Sequence, residues 1–345
     1  MTEKLTIQTG SRFRPGRLAA VELLTLVILG LAPLAVPDHM TVFLTRCVIL
    51  CFLALSFDLA WGYGGIMSFG QALYFGAAGY AGALVSRELG LTSAFVILPL
   101  SVLIGAALAA AVGALILLSK RPPALIVIAL GTMSGAYAAE RILRGWYWAG
   151  GQNGIAGLPY LTAFGKEITE GPVFFYSVLG MLFGTYLLCR GLVRSQFGLT
   201  LAAARQNQDR TIFLGAPVLQ MKLIVFVVAG GIAGLGGSLY SFHEGFAGPV
   251  LAGVALSTKA VIFALLGGSG TLIGAILGAI AIEIAGYFLA DSYATLWPIF
   301  LGCVLLGVIL VRPSGLVGLI VSDAERTGRF GIVRAFRKGT GHGAA

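Results

Sequence analysis

The run Ala94–Leu118 constrains this chain more than any other feature, because it carries no charged side chain and is apolar on every helical face. At 1.5 Å per residue it reaches across a hydrocarbon core of ~30 Å as a helix. A strand of a membrane barrel would instead alternate polar and apolar residues over about ten positions. Charged residues make up 11% of the 345 positions, against ~25% in soluble domains, which is too few to cover a surface facing water. The reading is an all-α polytopic membrane protein.

Apolar runs set off by basic breaks give about ten transmembrane helices, at 18–36, 41–60, 71–87, 94–119, 124–144, 172–193, 220–242, 254–270, 272–290 and 294–311. With both termini placed in the cytoplasm, 17 of the 23 basic residues fall on the inner side, as membrane orientation requires. The net charge of +9 therefore reflects topology, and nucleic acid is not an expected partner. This divides the chain into a basic cytoplasmic segment 1–17, a membrane domain 18–311 and a basic cytoplasmic tail 312–345.

Three segments between spans stand out. Trp61–Gly70 is too rich in Gly to continue a helix, so the chain is expected to unwind there; such a broken segment at membrane depth lines a cavity or is buried in protein. Residues 145–171 form an outer loop of turn formers. Residues 194–219 are polar, rich in helix formers and end at Leu214-Gly215-Ala216-Pro217, which predicts a short helix at the cytoplasmic membrane face.

Gly, at 50 residues, is about twice as frequent as usual. Gly230, Gly234 and Ser238 recur at every fourth position, as do Gly270, Gly274 and Gly278. Each set predicts a smooth helix face for close packing. Gly267-Gly268-Ser269-Gly270 lacks the Lys-Ser/Thr of a phosphate loop, so no nucleotide is expected on this chain. Ionisable residues inside spans are costly; Lys259 and Glu283 fall at similar depths of an antiparallel hairpin, roughly 7 and 10 Å from its outer ends, and are expected to pair. Asp58, before the Gly-rich break, reads as a hydrated helix-end carboxylate, and His243-Glu244 as an exposed polar pair in an outer loop. The four cysteines read as buried packing residues, and no metal cluster or catalytic constellation is visible.

The order of motifs resembles one family. Gly62-Tyr63-Gly64-Gly65-Ile66-Met67-Ser68-Phe69-Gly70-Gln71-Ala72, Gly151-Gln152-Asn153-Gly154-Ile155, Phe197-Gly198 through Arg205 to Leu214-Gly215, Gly267 to Gly274, and Arg312-Pro313-Ser314-Gly315-Leu316 are similar to the permease subunit of branched-chain amino-acid ABC importers (LivM-type), a family that includes urea and short-amide permeases. The resemblance implies half of a pore completed by a second homologous permease, driven by two cytosolic ATPases that hold ATP and Mg, and supplied by a periplasmic solute-binding protein. It implies that Gly198, Ala203, Arg205, Asn207 and Gly215 form the ATPase-coupling segment, although Leu199, Ala202, Gln206 and Gln208 stand where the family commonly has Arg or Glu. Tyr63, Gly64, Gly65, Ser68 and Gln71, with Asn153 at the outer mouth, are the expected substrate path in a bacterial inner-membrane protein. Alternatives are a urea, amide or aromatic-acid importer, or a secondary transporter or channel working alone; a proton-driven carrier would be expected to show a mid-membrane Asp/Glu/His relay, which the sequence lacks.

Overall fold

A computed structural model describes residues 17–117, 124–290, 297–311 and 315–320. Most of segment 1–17 and of tail 312–345 thus lies outside the described residues. Each drafted span holds one helix: α1 (Arg17–Ala35), α2 (Asp38–Asp58), α3 (Gln71–Leu89), α4 (Ala94–Leu117), α5 (Leu125–Gly145), α6 (Pro172–Arg194), α9 (Val218–His243), α10 (Val254–Gly267), α11 (Ile273–Ala290) and α12 (Trp297–Val311). Two short helices, α7 (Gln196–Gln206) and α8 (Gln208–Phe213), separate α6 from α9, and α13 (Val317–Ile320) follows α12.

Local chemistry sets the ends of these elements. Pro37, extended at φ −64°, precedes α2, while Gly90 at φ +64° closes α3 in the left-handed conformation that favours Gly. Pro172 sits in the first turn of α6, where its missing N–H costs nothing. Among the described residues five helices, α2 with the turn that follows it, α4, α5, α6 and α9, are long and apolar enough to cross a membrane. Helix α10 ends at Gly267, three residues before the expected span end, and its 14 residues extend only about 21 Å.

Helices α2 and α9 form the centre. α3 and α4 pack on α9, while α6 and the α10–α11 hairpin pack on α2. The α4–α9 contact is close because small residues meet on both sides: a Cβ on Gly230 would lie 2.7 Å from the Gly105 carbonyl, and one on Gly234 would lie 3.1 Å from the Gly105 Cα. Ser101 and Ser238 continue this seam with hydroxyls 2.5 Å apart. Gly274 and Gly278 serve α11 in the same way, against the carbonyls of Gly267 and Phe263. Gly270 does not belong to that face. It lies in the non-helical turn between α10 and α11 at φ +80°, so the sequence spacing of 270, 274 and 278 does not describe one continuous helix. Gly180, Gly184 and Gly191 on α6 meet nothing within 4 Å, so the Gly surplus is not all packing.

Candidate coupling site

Helix α2 does not stop cleanly at Asp58. It widens into a π-turn, Leu59–Tyr63, before the chain runs non-helical to Gly70. Gly64 N–H donates to Leu59 O (3.2 Å), Gly65 N–H to Trp61 O (3.2 Å) and Ile66 N–H to Ala60 O (2.9 Å). Gly70 N–H donates to Ser68 Oγ within the segment (3.2 Å), and neighbouring helices accept from two further donors. Phe69 N–H donates to Thr132 Oγ1 of α5 (3.0 Å), and Ala72 N–H to Ser257 Oγ of α10 (3.1 Å). Ser68 and Gln71 are fully buried, with Ser56 Oγ donating to Gln71 Oε1 at 3.4 Å; Tyr63 and Gly65 are half-buried. Thr132 and Ser257 carry no sequence signal of this role, since hydroxyls inside apolar helices commonly bond their own preceding turn.

Asp58 is not hydrated. It is 0% exposed, and its carboxylate accepts the Gly270 N–H at 2.6 Å and the Leu272 N–H at 2.9 Å. The reason is the short α10: its turn, 268–272, sits against the π-turn of α2, and its N–H groups need an acceptor that the apolar surroundings do not supply. Gly62 lies at the closest approach, where a Cβ would fall 2.5 Å from both Asp58 Oδ1 and Gly270 N. From the other side, Arg205 Nη1 of α7 donates to the Gly62 carbonyl. Gly315 closes the group: a Cβ there would run into the Gly268 backbone, and Leu316 N–H donates to Leu266 O at 2.8 Å. Four of the five motifs therefore meet at one end of the bundle.

The polar segment is two helices rather than one. Asn207 breaks it and caps α8 by accepting the Arg210 N–H on Oδ1 at 3.0 Å. Gly198 packs against the Val193 carbonyl at the α6 end, and Lys222 Nζ of α9 donates to Gln208 Oε1 at 2.8 Å. Leu201 and Ala204 turn inward, whereas Ala203, Arg205 and Asn207 are exposed. At the tip, Phe213 and Leu214 are 89% and 87% exposed, and Gly215 turns the chain at φ +85°.

The opposite end holds the second set of charges. Lys259 Nζ lies 2.5 Å from Glu283 Oε1, and Arg46 Nε lies 3.6 Å from Glu244 Oε1. His243 is buried rather than exposed; it is the last residue of α9, stacked on Phe174 with ring centroids 5.7 Å apart. Asn153 is exposed in the loop after α5, which is pinned to the end of α9 by pairing of Ile155 with Ala247. The broken segment touches α5 at Thr132 and Asn153 follows its end at Gly145, so about 20 Å of helix separates them. Asn153 is thus not brought together with residues 63–71. Cys47, Cys51 and Cys189 are buried free thiols, and Cys303 is exposed, contrary to the packing role expected of it.

Among the described residues, no cluster of three His, Cys, Asp or Glu has metal spacing. A cleft between α1, α6 and α11 reaches the meeting of motifs at Ile273, the first residue of α11. Apart from Glu22 and Arg190, which pair at its edge, and the hydroxyls of Thr25 and Tyr186, its walls are apolar, so it offers little to orient a polar solute. Comparison with known proteins agrees with the convergence of motifs. The chain is 25% identical to the high-affinity branched-chain amino acid transport system permease protein LivM of Salmonella typhimurium over 86% of its length and 74% of that protein. It is 26% identical to LivM of Escherichia coli over the same shares. It is 35% identical to the autoinducer 2 import system permease protein LsrC of Enterobacter sp., over 62% of the chain and 63% of that relative. No solved structure matches the chain. Residues 40–311 match the family described as branched-chain amino acid transport system / permease component, so the chain belongs to this family of ABC-importer permeases.

Proposed function

We propose that this permease forms half of the path by which branched-chain or other hydrophobic amino acids enter the cell. A second homologous permease completes the pore, two ATPase subunits holding ATP and Mg dock on α7–α8, and a periplasmic binding protein delivers the solute. Both termini then face the cytoplasm of an inner membrane, and no group on this chain hydrolyses ATP. The observation that carries the reading is the tip of α8. Phe213 and Leu214, side by side, are almost wholly exposed on a helix pair fastened to the bundle on its other face. Large exposed apolar side chains on a water-facing element are what a protein partner covers. Residues Tyr63, Gly64, Gly65, Ser68 and Gln71 line the inner part of the path.

Co-expression with candidate ATPases, a second permease and the binding protein tests the reading. Phe213→Asp with Leu214→Asp is expected to lower ATPase co-purification by at least about 10-fold, the scale of a hot-spot loss. Unchanged ATPase binding, or ATP-independent uptake by a homo-oligomer, would overturn it. The LsrC relatives favour a second substrate reading, autoinducer 2. Leucine retained by the partner binding protein supports the first; autoinducer 2 retained in its place supports the second.

A further inference from the structure

We propose that Asp58 is the positioning residue through which displacement of α7 reaches the α10–α11 hairpin. The inference rests on the reading of α7–α8 as the ATPase dock. The contacts of α7 run to α6, α8, α9 and the π-turn after α2. Its bond to that turn is the one from Arg205 Nη1 to the Gly62 carbonyl. Gly62 in turn packs directly on the hairpin, since a Cβ on it would fall 2.5 Å from both Asp58 Oδ1 and Gly270 N. Arg205 Nη1 also passes close to Gly270, 3.6 Å from where a Cβ on that residue would lie, but its hydrogen bond is made to the Gly62 carbonyl. The hydrogen bonds that hold the turn itself come from the Asp58 carboxylate, which accepts the Gly270 and Leu272 N–H groups at the root of α11.

That turn is held under tension. Leu272 sits at φ +58°, a left-handed conformation that a Leu adopts at a cost and keeps only when its surroundings over-determine it. Two charge-assisted bonds to one carboxylate supply that determination. A turn so held has a second, relaxed arrangement available when the acceptor shifts, which is what a two-state transmitting element needs. An Asn at position 58 would keep one oxygen and offer an NH2 to the second N–H, so it cannot hold both. A plain structural cap stabilises every state alike; a transmitting contact sets how much solute moves per ATP.

The test uses the complete importer in proteoliposomes, with two readouts: solute taken up per ATP hydrolysed, and deuterium uptake of the 266–274 segment in nucleotide-free and ATP-bound complex. Asp58→Asn and Arg205→Ala are each expected to lower uptake per ATP by about 10-fold and to abolish the ATP-dependent change in exchange. Arg205→Lys keeps one donor for the Gly62 carbonyl and is expected to restore most of both. If Asp58→Asn does not assemble, the Arg205 pair decides. Uptake per ATP at the wild-type level in an assembled Arg205→Ala complex, or an unaltered exchange response, overturns the proposal alone. Wild-type complex without ATP-driven uptake overturns the docking reading and this proposal with it.

Discussion

A charge inside a membrane helix is tolerated only beside a partner or water, and the end of the bundle opposite the meeting of motifs shows both solutions. Glu283 is 7% exposed and depends on Lys259, whose side chain is 29% exposed and can turn toward the interface. Arg46 and Glu244 are more open, at 42% and 32%, and their pairing is worth little. Glu283→Gln should destabilise the purified chain by about 2–3 kcal/mol, below the ~3–5 of a fully enclosed pair. Lys259→Met should cost more, because it strands the buried Glu283, and the double variant should recover at least about 1 kcal/mol relative to the sum of the two. Thermal unfolding in detergent measures this; additive effects would mean that the two residues are merely adjacent. This pair was legible in sequence because counting inward from two helix ends placed both charges at one depth. Asp58 was not, because the N–H groups that donate to it lie more than 200 residues away on a turn whose position depends on where α10 stops.

At the scale of elements, glycine has three distinct uses that composition merges. On the α4–α9 seam it removes the Cβ so that backbones touch: Gly105 on one side meets Gly230 and Gly234 on the other. In the break after α2 it supplies a conformation, since Gly65 at φ +65° reverses the chain before Ile66 returns to the core. On α6, Gly180 and Gly184 meet nothing in this chain. Gly105→Leu should force α4 off α9 and destabilise the fold by roughly 3 kcal/mol or more, the upper range of overpacking. Gly184→Leu should stay within about 0.5 kcal/mol. Comparing the two in the purified chain separates seam from open face, and equal losses would contradict the packing described here. The i, i+4 spacing made the α9 seam readable in advance; it misled at Gly270, because periodicity cannot see that a helix has already ended three residues earlier.

For the molecule as a whole, burial is graded from the centre outward, and stability should follow. Among the long apolar helices α2 is the most deeply enclosed and α5 the least, with Leu125, Ile126, Leu130, Tyr137 and Ile142 all facing away from the bundle. Ten helices and their order were readable from hydropathy because each is one apolar run set off by polar or Gly-rich breaks, although their lengths range from 14 residues in α10 to 26 in α9. Which helix is central was not, since α2 carries Arg46 and Asp58 while α4 carries no charge, and only tertiary packing places α2 at the centre. The basic end adds polar fastenings to this gradient, tying α2 to α7 through Arg205 and Gly62, and to the α10–α11 turn through Asp58. Local opening costs least where few apolar contacts are lost. In detergent-solubilised chain, amide exchange should therefore be slowest in 47–60 of α2 and in the 229–242 part of α9, and fastest in α5. The 268–272 turn, though irregular, should exchange more slowly than α5, because two of its N–H groups are spent on a buried carboxylate. Exchange of that turn as fast as an exposed loop would show that the Asp58 bonds open readily in the isolated subunit, and the centre of the fold would then have to be placed on α9 alone.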